Sequence, residues 1–233
     1  MIRFDHVSKS YGRTQALNGL TLEFVDGEII GLFGPNGAGK STTIKMIVGL
    51  SRPDRGEVWV DGKLPRQRRE SIAYLPELNH LYHWWTLKDA AAFIQDFYND
   101  WDEHCYQSQL HFLNLDEGMK LSKISRGQLA KCRLLLTTSR RAPYLLLDEP
   151  FSGIDLMTRE EIINSLIREY QEGKQTIIIS THEIDEIENL VDRAFFIDHG
   201  SIRISGKAED LRAQKGMSLV EIMKEAFRHA EQQ

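Results

Sequence analysis

The sequence has only two cysteines and no long apolar segment, and both scarcities narrow the possible kinds of protein. Cys105 and Cys132 are far apart and form no CxxC pair, so we expect neither a zinc site nor a disulfide framework. Two unpaired thiols fit a reduced cytoplasmic compartment. No run approaches the roughly 18 apolar residues that a membrane-crossing helix needs, and the N-terminal segment lacks the apolar core of a signal peptide. We therefore expect any role at a membrane to be exercised through a partner.

Basic residues are in the minority. The chain has 29 Lys and Arg against 34 Asp and Glu, a formal net charge of -5 at pH 7. This balance argues against a protein that coats nucleic acid. The basic run PRQRRE at 65–70 is accordingly interpreted as a solvated loop rather than as a nucleic-acid patch. We expect no nucleic-acid partner.

Strand-like and helix-like segments alternate along the chain, which predicts an α/β fold with a parallel, doubly wound core. The pattern of residues 2–33 predicts β-strands. A further helix is expected over 183–191. Helical spacing between about 86 and 140 predicts a helical insert, with Thr86 and Asp89 as a cap-like start. We expect a single domain over 1–233. Its parts are a core subdomain at 1–76 and 141–210, a helical subdomain at 77–140 and a C-terminal helical tail at 211–233.

The segment GPNGAGKS at 34–41 matches the pattern GxxxxGK[ST] and lies between a strand-like and a helix-like segment. Glycines permit a backbone whose N–H groups point at phosphate oxygens, and the following helix aims its positive dipole end at the same anion. Lys40 is predicted to contact the β- and γ-phosphates of a nucleoside triphosphate, Ser41 to bind Mg²⁺, and Thr42 to contact the α-phosphate. The alternative is a chance glycine-rich turn. The predicted loop consists of Gly34, Pro35, Asn36, Gly37, Ala38, Gly39, Lys40, Ser41 and Thr42.

A second motif, YLLLDEP at 144–150, is an apolar strand that ends in two acids. An aspartate at the end of a strand beside a phosphate loop can hold Mg²⁺ through water, and Asp148 is assigned this role. Glu149, one residue on, can orient and polarise an attacking water. The alternative is a strand followed by a solvated acidic turn.

Five motifs stand in a fixed order: GPNGAGKS, ISRGQ at 124–128, LLLDEP at 145–150, SGID at 152–155 and STH at 180–182. This set resembles the ATP-binding cassette (ABC) ATPases, specifically the nucleotide-binding subunit of a transporter. The resemblance extends from about residue 2 to residue 210. It implies a P-loop NTPase core with a mixed sheet, an N-terminal antiparallel part and a helical subdomain. It also implies ATP and Mg²⁺ as ligands and ATP hydrolysis as the activity.

The resemblance further implies roles for single residues. Ser125, Gly127 and Gln128 look like the family's signature motif, which binds the γ-phosphate of ATP held by a second, identical or similar subunit. Asp155 looks like its dimer-contact aspartate, and His182 like its switch histidine, which contacts the γ-phosphate and the catalytic glutamate. Tyr11 is similar in placement to the aromatic residue that stacks on adenine; the alternative is a plain strand tyrosine.

Two positions depart from the family pattern. Arg126 replaces a glycine of the usual Leu-Ser-Gly-Gly-Gln signature, which leaves the serine and the helix start in place. Glu77 stands where the family usually has a glutamine that senses Mg²⁺ and couples to the membrane subunit. A carboxylate can still accept Mg²⁺ or water, so Glu77 is retained as a metal-site candidate beside Ser41 and Asp148. Metal affinity and coupling are the properties that this change affects.

The implied partners are a multi-spanning membrane subunit and a second ATPase subunit in a homodimer or heterodimer, which places the chain at the cytoplasmic face of a membrane. The aromatic stretch LNHLYHWWTLKD at 78–89 is interpreted either as packing of the insert or as a docking groove for a cytoplasmic helix of that subunit.

The form of the signature motif and the sequence of the helical insert look more similar to bacterial export systems than to importers. The alternative function is a non-transport ABC ATPase that acts on DNA or on the ribosome. A phosphoryl-transfer kinase, the third class, gives no reason for SRGQ and STH.

Overall fold

The computed structural model describes residues 1–228. The strands are β1 (Ile2–Tyr11), β2 (Thr14–Phe24), β3 (Ile29–Phe33), β4 (Arg55–Val60), β5 (Ile72–Leu75), β6 (Tyr144–Asp148), β7 (Thr176–Thr181), β8 (Arg193–Asp198) and β9 (Ser201–Lys207). The helices are α1 (Lys40–Ile47), α2 (Leu87–Phe97), α3 (Glu103–Phe112), α4 (Arg126–Thr138), α5 (Leu156–Glu169), α6 (Ala208–Lys215) and α7 (Leu219–Arg228).

The N-terminal strands form an antiparallel sheet in the order β2–β1–β4. In β1 the buried side chains of Ile2 and Phe4 alternate with the exposed Arg3, as expected for a sheet that packs one face on the core. This buried face joins α1 and one side of the central sheet in a single apolar cluster. The predicted antiparallel part is therefore confirmed.

The central sheet has six strands in the order β5–β6–β7–β3–β8–β9. All its pairs are parallel except β8–β9, which is antiparallel. Every residue of β3, β6 and β7 is buried, because side chains pack on both faces of the sheet. This explains why the three strands read as almost continuous apolar runs. The mixed α/β fold predicted from the sequence is confirmed.

The register of the central sheet brings three distant segments together. Phe33 pairs with Thr181, and Asp148 pairs with Ser180, so β3, β6 and β7 end at one edge. The loop after β3, the two acids at the end of β6 and the histidine after β7 consequently meet at this edge. Ligands of open parallel sheets bind at the carboxyl ends of the strands.

Helices α2, α3 and α4 share an apolar cluster of their own, which includes Leu87, Tyr106 and Leu135. The predicted start of α2 is confirmed, because the Thr86 and Asp89 side chains each accept from the other's backbone N–H. None of the helices in residues 1–228 is long and apolar enough to span a bilayer.

The helix expected over 183–191 does not form as an α-helix; successive turns take its place. Ile187 and Leu190 donate to carbonyls three residues back, those of Ile184 and Ile187. The segment has acids at 183, 185, 186 and 188, and like charges at helical spacing disfavour a regular helix. The predicted tail contains most of α6 and all of α7, and its residues 229–233 lie outside the described residues.

Candidate functional site

The loop after β3 has a backbone that only glycine adopts readily. Gly37 and Gly39 have φ values of 83° and 110°, in the region that side chains disfavour. A Cβ atom on Gly39 would lie 2.6 Å from the carbonyl oxygen of Ala16. The loop is thus pressed against β2, and its last glycine precedes the first residue of α1. Because α1 begins directly after the loop, its unpaired N-terminal N–H groups make this end of the helix a favourable place for an anion.

Lys40, the first residue of α1, is nearly buried inside this loop, with 5% of its side chain exposed. Its ammonium group donates to the carbonyl oxygens of Gly34 at 2.7 Å and Pro35 at 3.2 Å. It also lies 3.1 Å from Oε1 of Glu149. Three protein acceptors therefore hold the one cation at the centre of the loop.

Asp148 ends β6 and is the centre of a second polar group. Its Oδ1 accepts from the Ser41 hydroxyl at 2.9 Å and from the Ser180 hydroxyl at 2.6 Å. Burial and the carboxylate of Asp148 raise the pKa of the adjacent Tyr74, whose hydroxyl therefore stays protonated. Ser180 received no role from the sequence. The signal that could have revealed it is a polar residue near the end of an otherwise apolar strand, which points to a function at the sheet edge.

Glu149 has a positive φ of 46°, which is uncommon for a residue with a side chain. Its N–H donates to the carbonyl oxygen of Ser180 at 3.0 Å, which ties the turn to β7. Its carboxylate is 8% exposed, and Oε2 lies 3.0 Å from Nδ1 of His182. The strained turn thus places this carboxylate between Lys40 and His182.

Lys40, Ser41, Glu149 and His182 line a cavity of about 400 Å³, here called the nucleotide cavity, whereas Asp148 lines the second cavity described below. Glu77, which follows β5, and Ser152 also line it, together with two residues of the β2 side, Thr14 and Ala16. The members from the predicted loop are Asn36, Gly37, Ala38, Gly39, Lys40, Ser41 and Thr42. The cavity therefore brings together most of the loop, Glu77, Glu149 and His182.

The donor set of the cavity fits Mg²⁺ bound together with phosphates. Residues 1–228 contain no cluster of three His, Cys, Asp or Glu side chains that could hold a metal ion on their own. Mg²⁺ does not need such a cage, because it usually keeps waters and takes one or two carboxylates plus phosphate oxygens. The adjacent oxygens of Ser41, which lines the nucleotide cavity, and Asp148, which accepts from Ser41, meet this requirement. Glu77 adds a carboxylate to the lining of the cavity.

Gly34, Pro35 and Asp148 do not line the nucleotide cavity but contact Lys40 or Ser41, which do. Two further groups of predicted residues also lie outside the cavity. Tyr11 is 51% exposed at the end of β1, where its hydroxyl lies 3.1 Å from that of Ser51. Ser125 caps α4, because its hydroxyl accepts from the N–H of Gln128 at 3.1 Å while the Gln128 side chain accepts from the Ser125 N–H at 3.0 Å. Gly127, in the first turn of α4, lies so close to Thr158 of α5 that a Cβ would come within 2.9 Å of its hydroxyl. The roles of these residues stay predictions.

A second cavity of about 680 Å³, here called the aromatic groove, lies between the two core parts and the helical part. Its wall carries Tyr82, Trp85, Phe93 and Tyr98, and a ladder of ring contacts continues from Trp85 through Phe93 to Phe97. Phe93 is 46% exposed and Phe97 is 68% exposed. Glu77 lines both this groove and the nucleotide cavity.

A glycine-rich loop between a buried strand and a helix, with an aspartate and a glutamate at the end of a neighbouring strand, defines a P-loop nucleotide hydrolase. A family model described as ABC transporter matches residues 17–152. The chain therefore belongs to the ABC transporter family, as an ATP-binding and ATP-hydrolysing subunit.

Individual relatives agree with this assignment. An uncharacterized ABC transporter ATP-binding protein of Methanocaldococcus jannaschii is 32% identical over 215 residues, which are 90% of this chain and 79% of the relative. The Nod factor export ATP-binding protein I of Paraburkholderia xenovorans is 30% identical over 231 residues, 95% of this chain and 76% of the relative.

Solved structures show the same fold. The structure of an ATP-binding subunit of an ABC transporter is 28% identical, has a TM-score of 0.85 and covers 97% of this chain and 99% of its own. A dimeric ATP-binding cassette bound to ADP and Pi has a TM-score of 0.78 at 23% identity and covers 89% of this chain and 99% of its own. At this identity the second match concerns the fold alone.

Proposed function

We propose that the chain hydrolyses ATP in the nucleotide cavity with Glu149 as the residue that orients the attacking water. The observation that carries the proposal is the position of Glu149, with one carboxylate oxygen facing Lys40 and the other facing His182 at the mouth of the phosphate loop. A carboxylate at this place can accept a proton from water as the water attacks the γ-phosphorus. The bond between that phosphorus and the oxygen of the leaving ADP then breaks.

Lys40 and His182 stabilise the transferred phosphoryl group in this proposal. The Lys40 ammonium contacts the carbonyl oxygens of Gly34 and Pro35 and the carboxylate of Glu149, and the β- and γ-phosphates of ATP would compete with these acceptors for it. That competition frees Glu149 for water. Ser41 and Asp148, with Glu77 nearby, hold the Mg²⁺ that accompanies ATP and neutralises part of the phosphate charge.

We infer that the residues at the start of α4 act on the nucleotide of a second subunit, identical or similar to this one. Ser125, Gly127 and Gln128 line no part of their own nucleotide cavity, yet they form a capped helix N-terminus, a good site for a phosphate. Two such subunits facing each other would enclose two ATP molecules. Each ATP would lie between the phosphate loop of one subunit and the start of α4 of the other. Tyr11 is assigned to the adenine side of the same site, as the exposed ring at the end of β1 allows.

The aromatic groove is the surface that we assign to a multi-spanning membrane subunit at the cytoplasmic face of a membrane. Exposed aromatic side chains around a concave surface are typical of protein interfaces. Glu77 connects this groove with the nucleotide cavity, so a change at the γ-phosphate can reach the partner. The export function of the Nod factor relative supports transport out of the cell.

The partner assignment is tested by capture from detergent-solubilised membranes of the native host with the tagged chain. We expect a multi-spanning membrane protein to be recovered, and Phe93→Asp in the groove to lose it. Ile167→Asp, at an exposed apolar side chain of α5, is the matched control and should retain it. Recovery of DNA or ribosomes without a membrane protein would favour the non-transport ABC ATPase instead.

A further inference from the structure

The imidazole ring of His182 faces a carboxylate at each of its two nitrogens. Nδ1 lies 3.0 Å from Oε2 of Glu149, and Nε2 lies 3.7 Å from Oε1 of Glu183. The proposed reaction uses the first carboxylate and gives the second one no role. Rotation of the ring by half a turn would exchange each nitrogen with a carbon and lose both contacts, so the two carboxylates together select one ring orientation.

Glu183 is held in place through both its backbone and its side chain. Its N–H donates to the Thr181 hydroxyl at 3.0 Å, which fixes the residue to the end of β7. Its Oε2 accepts from the Arg159 guanidinium at 3.2 Å. Glu183 thus presents its other oxygen to His182 from a position set by β7 and by α5.

Arg159 is itself fixed on both sides. It lies in the first turn of α5, where its N–H donates to the carbonyl oxygen of Asp155 at 3.0 Å. Its guanidinium also forms an ion pair with Glu186, whose side chain is only 1% exposed. Glu183 and Glu186 thus contact the same guanidinium, which holds Arg159 between these two acids. The contacts Arg159–Glu183–His182–Glu149 therefore form a continuous polar path from α5 to the nucleotide cavity.

We propose that Glu183, supported by Arg159, is a positioning residue that sets the orientation of the His182 ring for ATP hydrolysis. The inference rests on the proposed function of His182 and adds a residue that acts through it. The two remaining acids of these turns are Asp185, which is exposed to solvent, and the partly buried Glu188. Glu183 has no contact with the phosphate loop, so its removal should change the rate of hydrolysis and leave ATP affinity nearly unchanged.

The test compares Glu183→Ala with Glu160→Ala, an exposed acid on the same helix as Arg159. We expect Glu183→Ala to lower kcat by about tenfold, since a misplaced catalytic group costs rate rather than affinity. KM should stay within about twofold. The ring ¹⁵N and ¹H NMR signals of His182 should shift in Glu183→Ala and remain in place in Glu160→Ala. Glu183→Asp should recover part of both the rate and the signals.

A double variant separates this inference from the proposed function. His182→Ala and His182→Ala/Glu183→Ala should hydrolyse ATP at the same reduced rate, because Glu183 acts only through the ring. A further loss in the double variant, or unchanged His182 signals in Glu183→Ala, would overturn the positioning role and leave the role of His182 intact. A wild-type rate in His182→Ala would overturn both. If Glu183→Ala fails to fold, Glu183→Gln replaces it, because it keeps the size of the side chain. The NMR signals of the His182 ring are then measured in Glu183→Gln.

Discussion

The ammonium group of Lys40 lies 3.1 Å from the carboxylate of Glu149, with both side chains less than a tenth exposed. The two residues are 109 positions apart in sequence: Lys40 is the first residue of α1, and Glu149 directly follows β6. Their contact joins the residue assigned to phosphate binding with the residue assigned to the attack of water. In the proposed function, ATP phosphates compete with Glu149 for Lys40, which couples nucleotide binding to the release of Glu149.

Lys40→Ala is expected to weaken ATP binding by roughly 100-fold, because hydrogen bonds to a charged group contribute about 1.5–3 kcal/mol each. Lys45→Ala removes an exposed lysine from the last turn of the same helix and should bind ATP as the wild type does. Equilibrium titration with a fluorescent ATP analogue measures both. Retained affinity in Lys40→Ala would show that the loop is not the phosphate site.

Gly39→Ala should destabilise the protein more than Gly37→Ala. Both positions have positive φ, which disfavours a side chain by about 1–2 kcal/mol. A Cβ on Gly39 also meets the Ala16 carbonyl oxygen at 2.6 Å, whereas a Cβ on Gly37 meets nothing within 4 Å. We expect the free energy of unfolding in urea to fall by about 2–3 kcal/mol for Gly39→Ala and by about 1 kcal/mol for Gly37→Ala. Equal losses would contradict the close approach to β2.

The buried Glu186 makes stability depend on pH. Burial raises its pKa to about 8 from the usual 4.5, so between these values the folded chain binds more protons than the unfolded chain and its stability falls as pH rises. Glu186→Gln removes this titration. Its Tm should therefore exceed that of the wild type by a margin that grows from about pH 5 to about pH 8.

The control for this pH dependence is Glu160→Gln, an exposed position of α5 whose Tm should follow the wild type at every pH. Thermal unfolding by circular dichroism at a series of pH values gives the three curves. A margin for Glu186→Gln that stays constant with pH would mean that the carboxyl titrates normally.

Ser125→Arg should leave ATP binding by the monomer within about twofold, because Ser125 does not line its own nucleotide cavity. The large cation at the start of α4 should block the ATP-dependent dimer, as measured by light scattering after size-exclusion chromatography. Gln214→Arg introduces the same side chain at an exposed position of α6 and should not affect dimerisation. Loss of ATP binding by the Ser125→Arg monomer would place the serine at the nucleotide of its own chain.

Sequence patterns predicted the parallel α/β core and the phosphate loop because both depend on local features, whereas the mixed sheet was implied by the resemblance to a known family. Apolar strands buried on two faces, glycines before Lys40 and acids at the end of β6 can each be read without knowledge of the tertiary structure. The register of β3, β6 and β7 then brings the motifs to one edge. The resemblance to a known family supplied the roles of His182 and the signature, which no local rule provides.

Other features depend on contacts between distant residues and could not be read in this way. The helix expected over 183–191 has helical apolar spacing, yet the positions of Ile184 and Ile187 in the core and the repulsion among its acids favour turns. The hydroxyl of Ser180 gained its partner, Asp148, only through strand pairing. Arg159 reaches Glu183 and Glu186 from a separate helix, so nothing local marks this contact.

Glu149→Gln tests the central claim most directly. The amide keeps the size of the side chain but cannot accept a proton from water, so we expect steady-state hydrolysis with Mg²⁺ and ATP to fall by about 100-fold or more. The same sample should bind ATP and accumulate as a stable dimer in size-exclusion chromatography. Hydrolysis at the wild-type rate by Glu149→Gln would contradict the assignment of Glu149 as the residue that activates water.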